Sequence, residues 1–207
     1  MATFDFSGER SRRELRTAVR THRRQVSSKQ RASASQRICE SFLQLDVFQR
    51  ATKVAGFLAF DGEADPLELM VAAERMGKQV FVPVIVGRHQ PLRFARWLPD
   101  MKLSTNALGI DEPQQTEPCW IAAASIDLVI TPLIAFDARG NRLGVGAGYY
   151  DRSFEFLQAD PPSPLRPTRL FGFAFEFQRV AKLSAQSWDV RLDGVITEQQ
   201  CYRFDGA

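Results

Sequence analysis

The sequence predicts an α/β protein: a three-layer α/β/α sandwich with a mostly parallel central sheet behind two N-terminal helices. Three observations carry this. Residues 54–60 are a continuous apolar run rather than an alternating one, as a strand buried on both faces requires, and 127–131 reads as a short buried strand ending at Pro132. A helix with its own start signal, Asp65-Pro66, separates the first run from a second strand at 79–86. Ahead of both, residues 11–45 carry helical signals alone, so the helix–strand alternation begins after them.

Taken in order, Ser11 with Glu14 three residues on forms a capping box and starts a helix that runs to about Val26. Arg12, Arg16 and Arg20 recur every four residues and share one side of it, with Leu15 and Val19 as a thin apolar face. Ser27 with Gln30 starts a second helix that turns Ile38, Phe42 and Leu45 inwards. After the strand at 54–60, Asp65 caps a helix reaching about Met76. Strands follow at 79–86, 92–97 and 127–131, the last ended by Pro132. A glycine-rich loop then leads into a helix over 149–157, and strands at 170–175 and 195–197 complete the set. The Pro-rich stretch 160–167 reads as a rigid surface loop, and residues 1–207 as one domain. Ligands of such sheets sit beyond the carboxyl ends of the strands. That edge collects the loops after Phe60, Thr131 and Phe175.

Composition excludes several classes. Apolar residues at 44% and charged residues at 25% are ordinary for a globular chain. Cys39, Cys119 and Cys201 are widely spaced and form no CxxC, so free thiols in a reducing compartment are expected rather than a disulfide framework or zinc site. His22 and His89 leave little material for a histidine-based metal cluster or hydrolytic triad. No signal-peptide pattern is seen, and the longest apolar run, 120–136, is interrupted by Asp127 and Pro132. The expectation is a cytoplasmic monomer without a membrane partner. Up to Arg37 there are ten basic residues against three acids, while the whole chain carries +3, so the remainder carries −4. That basic arm suits a polyanion, either a nucleotide or a nucleic acid. Aromatic residues are not interleaved with the arginines, which argues against a single-strand nucleic-acid platform.

Residues 141–152, Asn-Arg-Leu-Gly-Val-Gly-Ala-Gly-Tyr-Tyr-Asp-Arg, carry the most chemistry. Gly144, Gly146 and Gly148 alternate after Arg142 and before Tyr149, Tyr150 and Asp151. Glycines let backbone N–H groups approach an anion, a neighbouring arginine favours phosphate, and a carboxylate can hold Mg²⁺. The glycines alone fit a simple turn equally well, and the spacing is neither the Rossmann nor the Walker pattern. Glu63, in the acidic loop 61–65, sits where a sheet-edge ligand would lie and can accept from ring N–H donors. Asp65 has its helix-capping role. Asp189 would complete an oxygen-ligated Mg²⁺ site if it met Asp151.

On these residues the chain resembles the 5-formyltetrahydrofolate cyclo-ligases, over nearly its whole length. The most specific part is Gly140-Asn141-Arg142-Leu143-Gly144-x-Gly-x-Gly148-Tyr149-Tyr150-Asp151-Arg152, preceded by Pro132-Leu-Ile-Ala-Phe-Asp137. Supporting matches are Arg12 to Arg16, Gly62-Glu63-Ala-Asp65, 109–113 and Asp189-x-x-x-Asp193. The resemblance implies an enzyme that uses ATP and Mg²⁺ to turn 5-formyltetrahydrofolate into 5,10-methenyltetrahydrofolate, releasing ADP and phosphate. It implies ATP binding by Arg12, Arg13, Glu14, Leu15 and Arg16 together with Arg142, Leu143, Gly144, Val145, Gly146, Ala147, Gly148, Tyr149 and Tyr150. It further implies Mg²⁺ on Asp151 and Asp189, folate contacts from Phe60, Glu63, Asp65 and Tyr149, and catalytic roles for Arg142, Tyr149 and Tyr150. Arg12 stands where the family usually has Lys, Ala147 where Gly or Lys is common, and Trp188 where His is frequent. Asn106-Ala107-Leu108 replaces the commoner Gly-x-Phe or Trp.

Overall fold

Both N-terminal start signals are used. In the computed structural model, which describes residues 11–106, 109–114, 120–158 and 168–204, Ser11 and Ser27 each close a capping box with Glu14 and Gln30. Helix α1 spans Arg12–Gln25 and α2 spans Ser28–Leu43. Each cap satisfies N–H groups that a helix start leaves orphaned and stabilises the helix by about 1 kcal/mol. A short α3, Asp46–Arg50, follows and was not legible in the sequence.

The sheet strands are β1 (Lys53–Ala55), β2 (Gln79–Val84), β3 (Arg93–Arg96), β6 (Leu128–Thr131), β9 (Arg169–Phe173), β10 (Gly194–Ile196) and β11 (Cys201–Arg203). Their order is β11-β10-β9-β6-β1-β2-β3. The pairs from β10 through β9, β6 and β1 to β2 are all parallel, and β3 and β11 add antiparallel edges. Two small antiparallel hairpins, β4 (Leu103–Thr105) with β5 (Asp111–Pro113) and β7 (Ala135–Phe136) with β8 (Arg142–Leu143), lie outside the main sheet. The continuous apolar runs make sense once both faces are counted. Val54, Val80, Leu128 and Ile130 enter the core under α1, α2, α3 and a further helix, α4 (Leu67–Arg75), whereas the intervening Ala55, Phe81 and Val129 enter the core on the opposite face.

The two outer layers are unequal. One consists of α1, α2, α3 and α4 (Leu67–Arg75). The other is thin, built from α5 (Tyr149–Ser153), a 3₁₀ turn at Glu155–Gln158 and the segments that bring in Val190 and Leu192. The expected helix over 149–157 therefore breaks after one turn. The side chain responsible is Phe154, fully buried against Phe94 and Tyr150 at a residue that has left helical geometry.

Two further expectations change. The run 54–60 is strand only as far as Ala55. Beyond it Gly56 N still donates to Phe81 O at 2.9 Å, Phe57 fills the core, and the chain then crosses the sheet edge. Its apolar character past Ala55 reflects core filling and cavity lining rather than strand burial. Helix α4 starts at Leu67 rather than directly after Asp65, although Asp65 Oδ1 still accepts from Leu67 N at 3.0 Å. The stretch 160–167, Leu108 and Cys119 lie outside the described residues. Cys39 and Cys201 are free thiols, and burial pushes Cys39 up to about 12.

Candidate active site

A cavity of about 260 Å³ opens where the carboxyl ends of β1, β2 and β6 release their chains. Its walls come from the segment after β1 (Phe57, Leu58, Phe60, Glu63), the end of β2, Pro132 and Leu133 after β6, the glycine loop and Trp188-Asp189. The expected loops after Phe60 and Thr131 contribute. The loop after Phe175 does not line it, and the segment at 188–189 takes that place.

The β7–β8 hairpin aims Arg142. Its turn is tied by Asp137, which is buried: Oδ1 accepts from Arg139 N (2.9 Å) and Asn141 N (3.1 Å), and Oδ2 from Asn141 Nδ2 (2.9 Å) and Leu183 N (3.0 Å). Asp is the residue type that holds its own turn in this way. Emerging from it, Arg142 has a side chain only 4% exposed. Its guanidinium donates to Val190 O and to Asp151 Oδ1 (2.7 Å) and lies over the Tyr150 ring. Burial lowers its pKa and the Asp151 charge opposes that, so it remains the cation at this end.

The loop itself is solvent-facing from Val145 to Ala147. Gly146 (φ +111°) and Gly148 (φ +68°) occupy the left-handed half of φ, and a Cβ on Gly148 would stand 2.8 Å from Arg152 Nη1. Ala147 keeps a negative φ, so its methyl is compatible with the turn. On the far side of the cavity α1 presents Arg12 and Arg16. Arg16 Nε donates to Gly144 O at 2.9 Å, and Arg12 Nη2 reaches Asp189 Oδ2 at 2.8 Å. Burial and the neighbouring Arg12 and Arg20 lower the Arg16 pKa, which marks a site with clustered positive charge.

Asp151 and Asp189 line this same cavity. Asp151 commits Oδ1 to Arg142 and Val190 N, and Asp189 commits Oδ2 to Arg12 and Gln186 N. Among the described residues each leaves its other oxygen without a hydrogen bond. Such a pair is a donor set for a hard divalent cation when a ligand supplies further oxygens. No group of three His, Cys, Asp or Glu side chains able to hold a metal by themselves occurs among the described residues.

The other end is lined by Phe60, 40% exposed at the rim, and by Glu63 and Tyr150, while Trp188 and Val145 are exposed apolar side chains at the opening. Glu63 is nearly buried and its carboxyl is pushed up by that burial, against the pull of the Arg23 charge and the Phe60 N–H. The Tyr150 hydroxyl is buried with no partner among the described residues, and burial raises its pKa.

A sequence profile of the 5-formyltetrahydrofolate cyclo-ligase family matches residues 8–198, which enclose every wall of this cavity. The chain belongs to that family. It is 33% identical over 187 residues to the Haemophilus influenzae 5-formyltetrahydrofolate cyclo-ligase, covering 89% of this chain and 96% of that one. It is 33% identical over 190 residues to the Escherichia coli K12 enzyme of the same name, covering 90% of this chain and 100% of that one. Among solved structures, the Aquifex aeolicus 5,10-methenyltetrahydrofolate synthetase superposes with a TM-score of 0.77 at 28% identity, covering 95% of this chain and 94% of that one. The Mycoplasma pneumoniae 5,10-methenyltetrahydrofolate synthetase shares the fold, with a TM-score of 0.69 at 21% identity over 91% of this chain and 99% of that one.

Within this family member the structure sorts the expected site residues. Arg12, Arg16, Phe60, Glu63, Arg142, Gly144 to Asp151 and Asp189 all line one cavity. Arg13 and Glu14 are exposed away from it, Glu14 closing the capping box. Leu15 and Leu143 are core residues. Asp65 donates its N–H to Ser35 Oγ and accepts from Leu67 N just ahead of α4, whose N-cap is Pro66 rather than Asp65, and it does not line the cavity. Arg20 turns to Asp61 instead of the glycine loop. Asp137 and Arg23 are the supporting residues that sequence reasoning missed. The Asp-x-x-Gly turn pattern could have found the first, while a buried arginine on a charged helix leaves no sequence signal. No described helix is long and apolar enough to cross a membrane.

Proposed function

We propose that the cavity binds ATP and 5-formyltetrahydrofolate side by side and closes the folate ring at the expense of ATP. The observation that carries this is their coexistence in one space: three arginines, a glycine loop and two carboxylates at one end, an aromatic and acidic pocket at the other. Arg12, Arg16 and Arg142 supply guanidinium donors suited to phosphate oxygens, and the loop 144–148 supplies backbone N–H groups. Asp151 and Asp189 are the residues that would hold Mg²⁺. When bound there, Mg²⁺ neutralises phosphate charge and orients the γ-phosphate.

The chemistry asks the protein for alignment and charge neutralisation rather than covalent catalysis. The N5-formyl group is amide-like and a poor electrophile. Its oxygen attacks the γ-phosphorus of ATP, the bond to the bridging oxygen breaks, and ADP leaves. N10 then adds to the activated formyl carbon and loses its proton. Phosphate departs with the formyl oxygen, leaving the N5–C–N10 methenyl bridge. Arg142, held by Asp151, faces charge developing on the transferred group, while Glu63 and the Tyr150 hydroxyl orient the pterin through its N–H and acceptor atoms. Phe60 and Tyr149 cover the ring. The free thiols Cys39 and Cys201 suit a reducing cytoplasm. The direct test follows methenyl-folate absorbance with purified protein. Growth should require ATP, Mg²⁺ and 5-formyltetrahydrofolate together, stop on chelation, and match phosphate released one for one. Absorbance growth without ATP would overturn the reading.

A further inference from the structure

The basic face of α1 continues past the two arginines at the glycine loop. Arg12, Arg16, Arg20 and Arg23 share that face over about 16 Å of helix. Arg23 is 1% exposed and is among the largest fully buried side chains of the molecule. An apolar residue there would avoid the desolvation cost of a guanidinium, as Leu15 and Val19 do earlier on the same helix. The contacts of Arg23 explain its presence. Nε donates to Asp61 O at 2.8 Å, Nη2 to Asp61 Oδ2 at 3.4 Å and Nη1 to Glu63 Oε1 at 3.4 Å.

The turn it grips is unusual. Asp61 has φ +49° and Gly62 φ +76°, two successive left-handed residues of the types that take this geometry most readily. That turn sends the chain back on itself, so that Phe60 N donates to Glu63 Oε2 (3.1 Å) and Glu63 N to Phe60 O (3.1 Å). Glu63 thus has one oxygen on backbone and the other on Arg23. We propose that Arg23 is a positioning residue: by clamping the 60–63 turn to α1 it sets the place of the Glu63 carboxylate against the folate. The inference rests on the reading of Glu63 as a folate contact.

The charges around Glu63 are Arg23 from α1, Asp61 from its own loop and Tyr150 from α5, with Arg20 and Arg24 reaching it only through Asp61. Arg23 is the cation that opposes the effect of burial on Glu63, so its removal moves Glu63 titration to higher pH.

The test compares Arg23→Gln, Arg23→Lys, Glu63→Gln and the double variant Arg23→Gln/Glu63→Gln. Steady-state KM is measured for each substrate between pH 5 and 9, with a melting curve for each protein. We expect Arg23→Gln to raise KM for 5-formyltetrahydrofolate about tenfold, the loss of one charged hydrogen bond, with KM for ATP unchanged. The acid limb of kcat/KM for the folate should move to higher pH. The double variant should bind folate no worse than Glu63→Gln alone. A parallel loss for both substrates tracking the melting temperature, with a fixed acid limb, overturns the proposal and leaves Arg23 a core residue. If Arg23→Gln does not fold, Arg23→Lys decides: a severalfold rise in folate KM alone supports the clamp, and an unchanged KM overturns it. If Glu63→Gln itself leaves folate KM unchanged, the underlying assignment of Glu63 fails and the clamp with it, whereas the ATP end stands.

Discussion

The two ends of α1 solve opposite problems with the same side chain. At its N-terminal end Arg12 and Arg16 are part-exposed, and among the described residues each has a single hydrogen-bond partner, Asp189 Oδ2 or Gly144 O. At its C-terminal end Arg23 is buried and makes three contacts to one turn. Arginines that meet a ligand arriving with its own charge need to exchange partners, so weak, solvated pairings serve them. An arginine that orients another residue needs fixed partners and low dielectric, where each contact is worth more and its loss costs more. On the proposed function, the contrast separates groups placed to meet substrate from groups that hold the site in shape.

The comparison breaks most decisively at Arg142, which is both buried and aimed at the phosphate end. Arg142→Gln should lower kcat by about 10²–10³-fold, as loss of a preorganised charge does, and should lower the melting temperature because Asp151 loses its partner. Near-normal turnover would remove Arg142 from the reaction. Next in size, Asp151→Asn should cost about 10²-fold at fixed Mg²⁺ and be partly restored by raising Mg²⁺. Full turnover at ordinary Mg²⁺ would end the metal assignment.

A third test reads the buried end through pH. Glu63, raised by burial, accepts most strongly from ring N–H donors when ionised. In the wild-type protein kcat/KM for the folate should therefore fall about tenfold per unit as pH drops through a value above the ordinary carboxylate range. An acid limb within that ordinary range would mean Glu63 is not the titrating contact. Smaller again, Tyr150→Phe removes only a hydroxyl and should raise folate KM about three- to tenfold with little change in kcat. The smallest effect belongs to the solvated end. Arg12→Lys keeps the charge but loses the fork, and a few-fold rise in KM for ATP is expected. A loss as large as that of Arg142 would show that exposure does not divide the two groups.

Much of this was legible in the chain. Capping boxes at Ser11 and Ser27 and the apolar strands are local patterns, and local patterns survive folding. The glycine loop with Arg142 and Asp151 was legible as a cavity wall because its distinctive residue types lie within one short segment. Less visible were the turn at Asp61-Gly62, the break after Ser153 and the split of 54–60 into a strand and a cavity wall. Each depends on what lies across the sheet: Arg23 from α1, Phe94 beneath Phe154, and the opening above Phe60.

By itself the sequence determined the α/β class, the family and the set of groups proposed to meet phosphate. These follow from spacing along the chain and from side-chain chemistry. Only the tertiary structure decided which members of the N-terminal basic stretch face the cavity. Arg12 and Arg16 do, Arg13 points to solvent, and Arg20 and Arg23 bind the 60–63 loop. An arginine carries the same charge at every one of these positions, and its role is set by the partner and the dielectric that packing places around it.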